Sequence, residues 1–171
     1  MIWINDGPDQ GRSLGERAKG HDMYTRIVVG IDGSELATKA LRHALALARE
    51  NKARLFAVTA TEPPVLIAPG AEMMSINTGE IIEELEKAKA SSAQETLDEA
   101  DALAKAEGVK LEKTHLPSTI AADAILGMAD KQGADMIVMG SHGRRGLGRL
   151  LLGSQAAEVL ARATIPVLVV K

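Results

Sequence analysis

Hydrophobic positions along this chain fall into five short aliphatic runs, and the stretches between them carry apolar residues at helical spacing. TRIVVGID (25–32) is β-branched and closed by a turn signal, which predicts a buried strand. Ser34 is then placed to cap a helix whose apolar face is Leu36, Ala37, Ala40, Leu41, Ala44, Leu45 and Ala48. RLFAVTA (54–60) predicts a second strand, and the prolines and glycines of TEPPVLIAPGAEMMSINTG (61–79) predict a loop. Thr78 is in position to cap a long helix from about 80 to 107, stopped by Gly108. VKLEKTH (109–115) alternates more, so it predicts a strand near a sheet edge. A helix from Ser118 to about Gln132, closed by Gly133, leads to ADMIVMG (134–140), whose continuous apolar run suits a central strand. A further helix, from about Leu147 to Ala163, precedes the last strand, IPVLVV (165–170).

This alternation implies an α/β fold, with a mostly parallel sheet and helices on both faces. Pro166 cannot donate to a ladder, which makes the last strand an edge at its start. Such an apolar edge invites aggregation unless something covers it. A second copy of the same strand would do so and would give a two-fold dimer through residues 166–170. The N-terminal tail or a helix is the other candidate cover.

Composition narrows the functions. The 171 residues allow one domain with a sizeable core, and the 46% hydrophobic and 25% charged residues are ordinary for a globular chain. Aromatics are 2%, so the stacking platforms of single-strand nucleic-acid binders are missing. A net charge of −3 gives no footprint for duplex DNA. With no cysteine, disulfides, thiol catalysis and Cys-based zinc sites are excluded, and a reducing cytoplasm fits. No apolar run reaches the roughly 20 residues of a membrane span. Residues 1–22 are rich in Gly, Asp and Arg and lack the apolar core of a secretory signal, so they are expected to be a disordered tail ahead of a domain at 23–171.

Candidate chemistry gathers at two strand ends. In open α/β sheets, ligands bind beyond the carboxyl ends of strands where the winding reverses. The first strand ends in Asp32-Gly33-Ser34, and the fourth opens into GSHGRRGLGRLLLGS (140–154). Glycines let a backbone approach a phosphate and expose successive N–H groups, and a following helix adds its positive end. Ser141 and Ser154 can donate hydroxyls, and Arg144, Arg145 and Arg149 bring positive charge. Asp32 would repel phosphate, so it is expected to accept from a ribose hydroxyl or to hold Mg²⁺, unless it serves only its Asp-Gly turn. GxxxxGK[ST] is absent, and so is GxGxxG after the first strand. What is present is G-x2-G-x9-G-S, carried by Gly140, Gly143, Gly153 and Ser154. His142 is expected to neighbour the phosphates rather than act as a base, because no nucleophile and acid stand at a suggestive spacing. Four scattered histidines give no zinc signal.

IVVGIDGS, MGSHGRRGLGRLLLGS with its glycine spacing, and the closing IPVLVV together resemble the universal stress protein family of the nucleotide-binding type, over Tyr24 to Lys171. The resemblance implies a single open sheet of five parallel strands in the order 3-2-1-4-5, the adenine nucleotide alpha hydrolase-like fold, and dimerisation through the last strand. It implies ATP or AMP as the bound cofactor, with Asp32 at the sugar and the backbone of Val58 at adenine. Met139, Gly140, Ser141, Gly143, Arg144, Gly153, Ser154 and Gln155 form the rest of the implied binding set. AVTA stands here where the family more usually has His-Val after its aliphatic pair. The expected function is a cytoplasmic regulatory module in stress response that holds nucleotide, with hydrolysis slow or absent, and reports to a protein partner not identified by the sequence. A slow Mg-dependent ATPase or phosphotransferase is the alternative. The loop at 61–78 is an equal candidate for a lid, a partner surface or simple packing.

Overall fold

The computed structural model describes residues 2–3, 23–63, 78–143 and 152–171. Among the described residues there are six strands, β1 (Ile2–Trp3), β2 (Arg26–Gly30), β3 (Arg54–Thr61), β4 (Leu111–Pro117), β5 (Met136–Gly140) and β6 (Val167–Val170). The helices described between them are α1 (Glu35–Asn51), α2 (Thr78–Ala106), α3 (Ala121–Gln132) and α4 (Ser154–Arg162). The sheet runs β1-β6-β5-β2-β3-β4. Every neighbouring pair is parallel except β1 with β6, which is antiparallel. The five parallel strands therefore have the expected order, and the winding reverses between β2 and β5.

Alternation along the strands explains the two cores. Ile27, Val29, Leu55, Ala57 and Val138 point to one face, where they meet the alanine- and leucine-lined side of α1 and Leu97, Ala100 and Ala104 of α2. Val28, Phe56, Val58, Ile137 and Met139 point to the other, against α3 and α4. Both faces of β2 and β5 are thus buried, as their unbroken apolar runs require. β4 is the far edge, and its charged, alternating residues suit that place.

Local signals set most boundaries. Ser34 Oγ accepts from Ala37 N at 3.2 Å and caps α1. Gly133 closes α3 at φ 57, in the left-handed region that glycine enters without cost. Three helix starts differ from expectation. α2 already includes Thr78, the residue expected to stand before it as a cap. α3 begins at Ala121 rather than Ser118, because Ser118 itself adopts φ 50 and Ile120 takes the cap position. α4 begins at Ser154, because Gly153 is extended at φ −62, ψ 150; the earlier part of the expected helix, 147–151, lies outside the described residues. The expected tail departs from disorder at Ile2–Trp3, which pair with Leu168 and Val167, while 4–22 lie outside the described residues. The loop expected at 61–78 lies mostly outside them too, from 64 to 77.

Candidate nucleotide site

At the switch point, β2 and β5 release their chains side by side. Beyond β2 the segment Asp32-Gly33-Ser34 turns sharply, with Gly33 at φ 79 and Ser34 N donating to Asp32 Oδ1 at 3.0 Å. Turn and site are not alternatives for Asp32. One carboxylate oxygen serves the turn, and the other faces Gly143: a Cβ added there would lie 2.6 Å from Asp32 Oδ2. The carboxylate and Gly143, the last described residue before the glycine-rich segment, meet at the carboxyl ends of β2 and β5.

Two backbone bonds pin the base of the loop. Ser141 N donates to Val170 O at 2.7 Å, and Gly153 N donates to Ser141 O at 2.9 Å. A Cβ on Gly153 would stand 3.1 Å from Ser141 O, so the return strand of the loop approaches too closely for a side chain to fit without a shift. Gly140 is similarly tight, with Leu36 of α1 3.1 Å from its would-be Cβ. Ser141 is buried, and its Oγ lies 3.2 Å from His142 Nδ1. α4 then leaves the loop with no side-chain cap on Gly153 and no acidic residue in its first turn. Its N–H groups form a positive end beside the crevice.

The remaining expected residues fall as follows. Met139 is buried at the end of β5. Val58 is buried in β3 and its carbonyl accepts from Ile31 N at 3.0 Å, which ties the exit of β2 to its neighbour. Ser154 is exposed at the first turn of α4. Gln155 has a role that its pattern did not signal: its Oε1 accepts from Ala122 N at 2.9 Å. Ile120 offers α3 no side-chain cap, so Gln155 supplies one from the neighbouring helix. Arg144, Arg145 and Arg149 lie outside the described residues. Among the described residues no cluster of three or more His, Asp or Glu is placed to hold a metal.

Other features do not compete with this site. A cavity of about 160 Å³ beside Leu126, Asp130, Ile137 and Arg162 opens at the amino ends of β5 and β6, the opposite end of the sheet. The shifted titrations also lie elsewhere. Lys113 is raised by its hydrogen bond to Asp98, and Asp98 is lowered by the same bond and by Gln94. Arg162 is raised first by Asp123, which ties α4 to α3, and then by Glu158, one turn back on α4 itself.

A doubly wound sheet with a glycine-rich loop and an acid at its switch point defines a mononucleotide-binding class of α/β domain. The chain belongs to the universal stress protein family, whose profile matches residues 23–171. It is 36% identical over 152 residues to universal stress protein MJ0531 of Methanocaldococcus jannaschii, covering 89% of this chain and 85% of that one. Among solved structures it resembles a universal stress protein in complex with cAMP (28% identity, TM-score 0.64, covering 86% of this chain and 97% of that one). It also resembles the universal stress protein of Archaeoglobus fulgidus in complex with dAMP (28% identity, TM-score 0.60, covering 86% and 98%). Among the described residues no helix is long and apolar enough to cross a membrane.

Proposed function

We propose that the chain binds an adenine nucleotide, ATP or AMP, in the crevice between β2 and β5 and acts in the cytoplasm as a nucleotide-dependent regulatory module of the stress response. The observation that carries this reading is the meeting of Asp32 with Gly143 beside the uncapped start of α4. In this reading Asp32 accepts from a ribose hydroxyl. Gly140, Ser141, Gly143, Gly153 and Ser154 present backbone and hydroxyl donors to the phosphates, and Arg144 adds charge. Met139 and Val58 lie under the sugar and base, and the backbone N–H of Gln155 joins the phosphate donors while its side chain caps α3. The adenine nucleotides in two similar structures support the ligand class. Residues 23–171 act as the folded unit, and 166–170 are the edge through which it pairs with a second copy once β1 is off that edge.

A slow ATPase or phosphotransferase is the second reading, favoured by the single carboxylate at the site. Mg²⁺ is commonly held by one or two carboxylates together with substrate phosphates, so Asp32 alone suits a cation that arrives on the triphosphate. Titration of ATP, AMP and adenosine into purified chain tests the first reading; saturable binding is expected, with ATP tighter than adenosine. Phosphate release lost in Asp32→Ala, with nucleotide still bound, would favour the second.

A further inference from the structure

We propose that β1 is a built-in ligand for the outer edge of β6, seated within its own chain, and that it keeps a second copy off that edge. The inference rests on the reading of residues 166–170 as a dimer edge. The side chains of β6 are largely committed: Val167, Val169 and Val170 are 2%, 9% and 8% exposed, and Leu168 is half-buried against the core on the α1 side. One backbone edge of β6 is taken by β5, from Ile137↔Val167 to Gly140↔Val170. What β6 offers an outside partner is therefore its other row of N–H and C=O groups. An added strand takes such a row by β-augmentation.

β1 takes half of that row, with Ile2 opposite Leu168 and Trp3 opposite Val167, antiparallel. A two-fold pairing of β6 with its copy is also antiparallel. When all four residues of β6 pair with their copies, Val167 faces the partner's Val170 and Leu168 the partner's Val169. That full pairing needs Val167 and Leu168 of both copies. β1 and a second copy thus exclude each other by geometry, and each protomer must release its own β1 before they can pair.

The tether decides who wins at a given concentration. β1 is joined to the domain through residues 4–22, and short tethers supply their ends at effective concentrations on the order of millimolar. A second copy at micromolar concentration competes against that. If β1 is seated for about 90% of the time, each copy is competent about 10% of the time. Two copies must both be competent, so the apparent dimer dissociation constant rises about 100-fold.

The test uses the full chain and a double variant, Ile2→Pro with Trp3→Pro, which removes both backbone donors of β1. Neither residue lies in the span matched by the family profile, so a single cooperative melt with parent-like circular dichroism is expected and verifies the fold. Sedimentation over a concentration series reads the dimer constant, and amide exchange reads Val167 and Leu168. The expected result is a dimer constant tightened on the order of 100-fold in the proline variant. A locked chain, Ile2→Cys with Leu168→Cys in this cysteine-free background, should stay monomeric when oxidised and regain pairing when reduced. Equal dimer constants in parent and proline variant would overturn the proposal. Monomers throughout, with faster exchange at 167–168 in the proline variant, would overturn the dimer reading but show β1 on its edge. Monomers throughout with unchanged exchange would overturn the seating of β1 itself.

Discussion

Gly143→Ala isolates the contact that defines the site. The new methyl would lie 2.6 Å from Asp32 Oδ2, at least about 0.8 Å short of an ordinary contact. Asp32 must give way, because Gly143 follows directly on the pinned residue Ser141 and its neighbour His142. Turning the carboxylate off its rotamer costs about 0.5–1.5 kcal/mol. The move also strains the bond from Ser34 N to Oδ1, a type worth about 1.5–3 kcal/mol when lost outright. If Asp32 orients the ribose, nucleotide binding should weaken by about 1–3 kcal/mol, or about 5- to 150-fold. The fold should barely respond, because Asp32 is half-buried and its far end can move outward; a fall in melting temperature of about 2–4 °C is the upper expectation. Calorimetric titration of AMP into parent, Gly143→Ala, Asp32→Ala and the double variant closes a cycle. Once Asp32 is truncated, the second substitution should cost little more. Parent-like affinity in Gly143→Ala, or a full additional loss in the Asp32→Ala background, would refute the reasoning.

Replacing Arg144 and Arg145 together by Ala should weaken ATP more than adenosine in the same titration; equal losses would remove them from the phosphates. Gln155→Leu takes the acceptor from Ala122 N and should cost about 1 kcal/mol of stability, with nucleotide affinity unchanged, since its side chain is committed to α3. Thermal melts and titration separate the two. Lys113 holds Asp98 and Asp101 below the usual carboxylate value of 3.8, though Lys105 is the larger cause for Asp101. Carboxylates depressed in the folded state add stability above that value and lose it as pH falls through their folded pKa. Lys113→Ala should therefore flatten the decline of melting temperature as pH falls below about 4, modestly because the groups are exposed.

Much of the architecture was legible because its causes are local. Unbroken runs such as IVVG and MIVMG can be buried only on both faces, and they became the central strands. Ser34, Gly108 and Gly133 ended or began helices through their own backbone and side-chain chemistry. Position in the sheet was harder. It was the family resemblance, not periodicity, that implied the strand order. The start of α3 was misplaced because Ser118 looks like a cap but occupies a left-handed position, and the true cap arrives from Gln155, distant in sequence. The same distance hid the meeting of Asp32 with Gly143, which depends on strands more than a hundred residues apart in the chain becoming neighbours. The cover on β6 was one of two options that an apolar edge left open. A two-residue strand carries no periodicity from which to choose between them.

The most direct test of a nucleotide-binding site is to ask what the protein carries and what it will take up. Purified chain is denatured, any released nucleotide is identified by chromatography, and the emptied, refolded protein is titrated with ATP and AMP. With one tryptophan and one tyrosine in the chain, excess absorbance in the adenine band would be conspicuous. The account predicts recovered adenine nucleotide or saturable rebinding, weakened in Asp32→Ala. A refolded protein with neither would contradict it, leaving the glycine loop as a strand-to-helix connection alone.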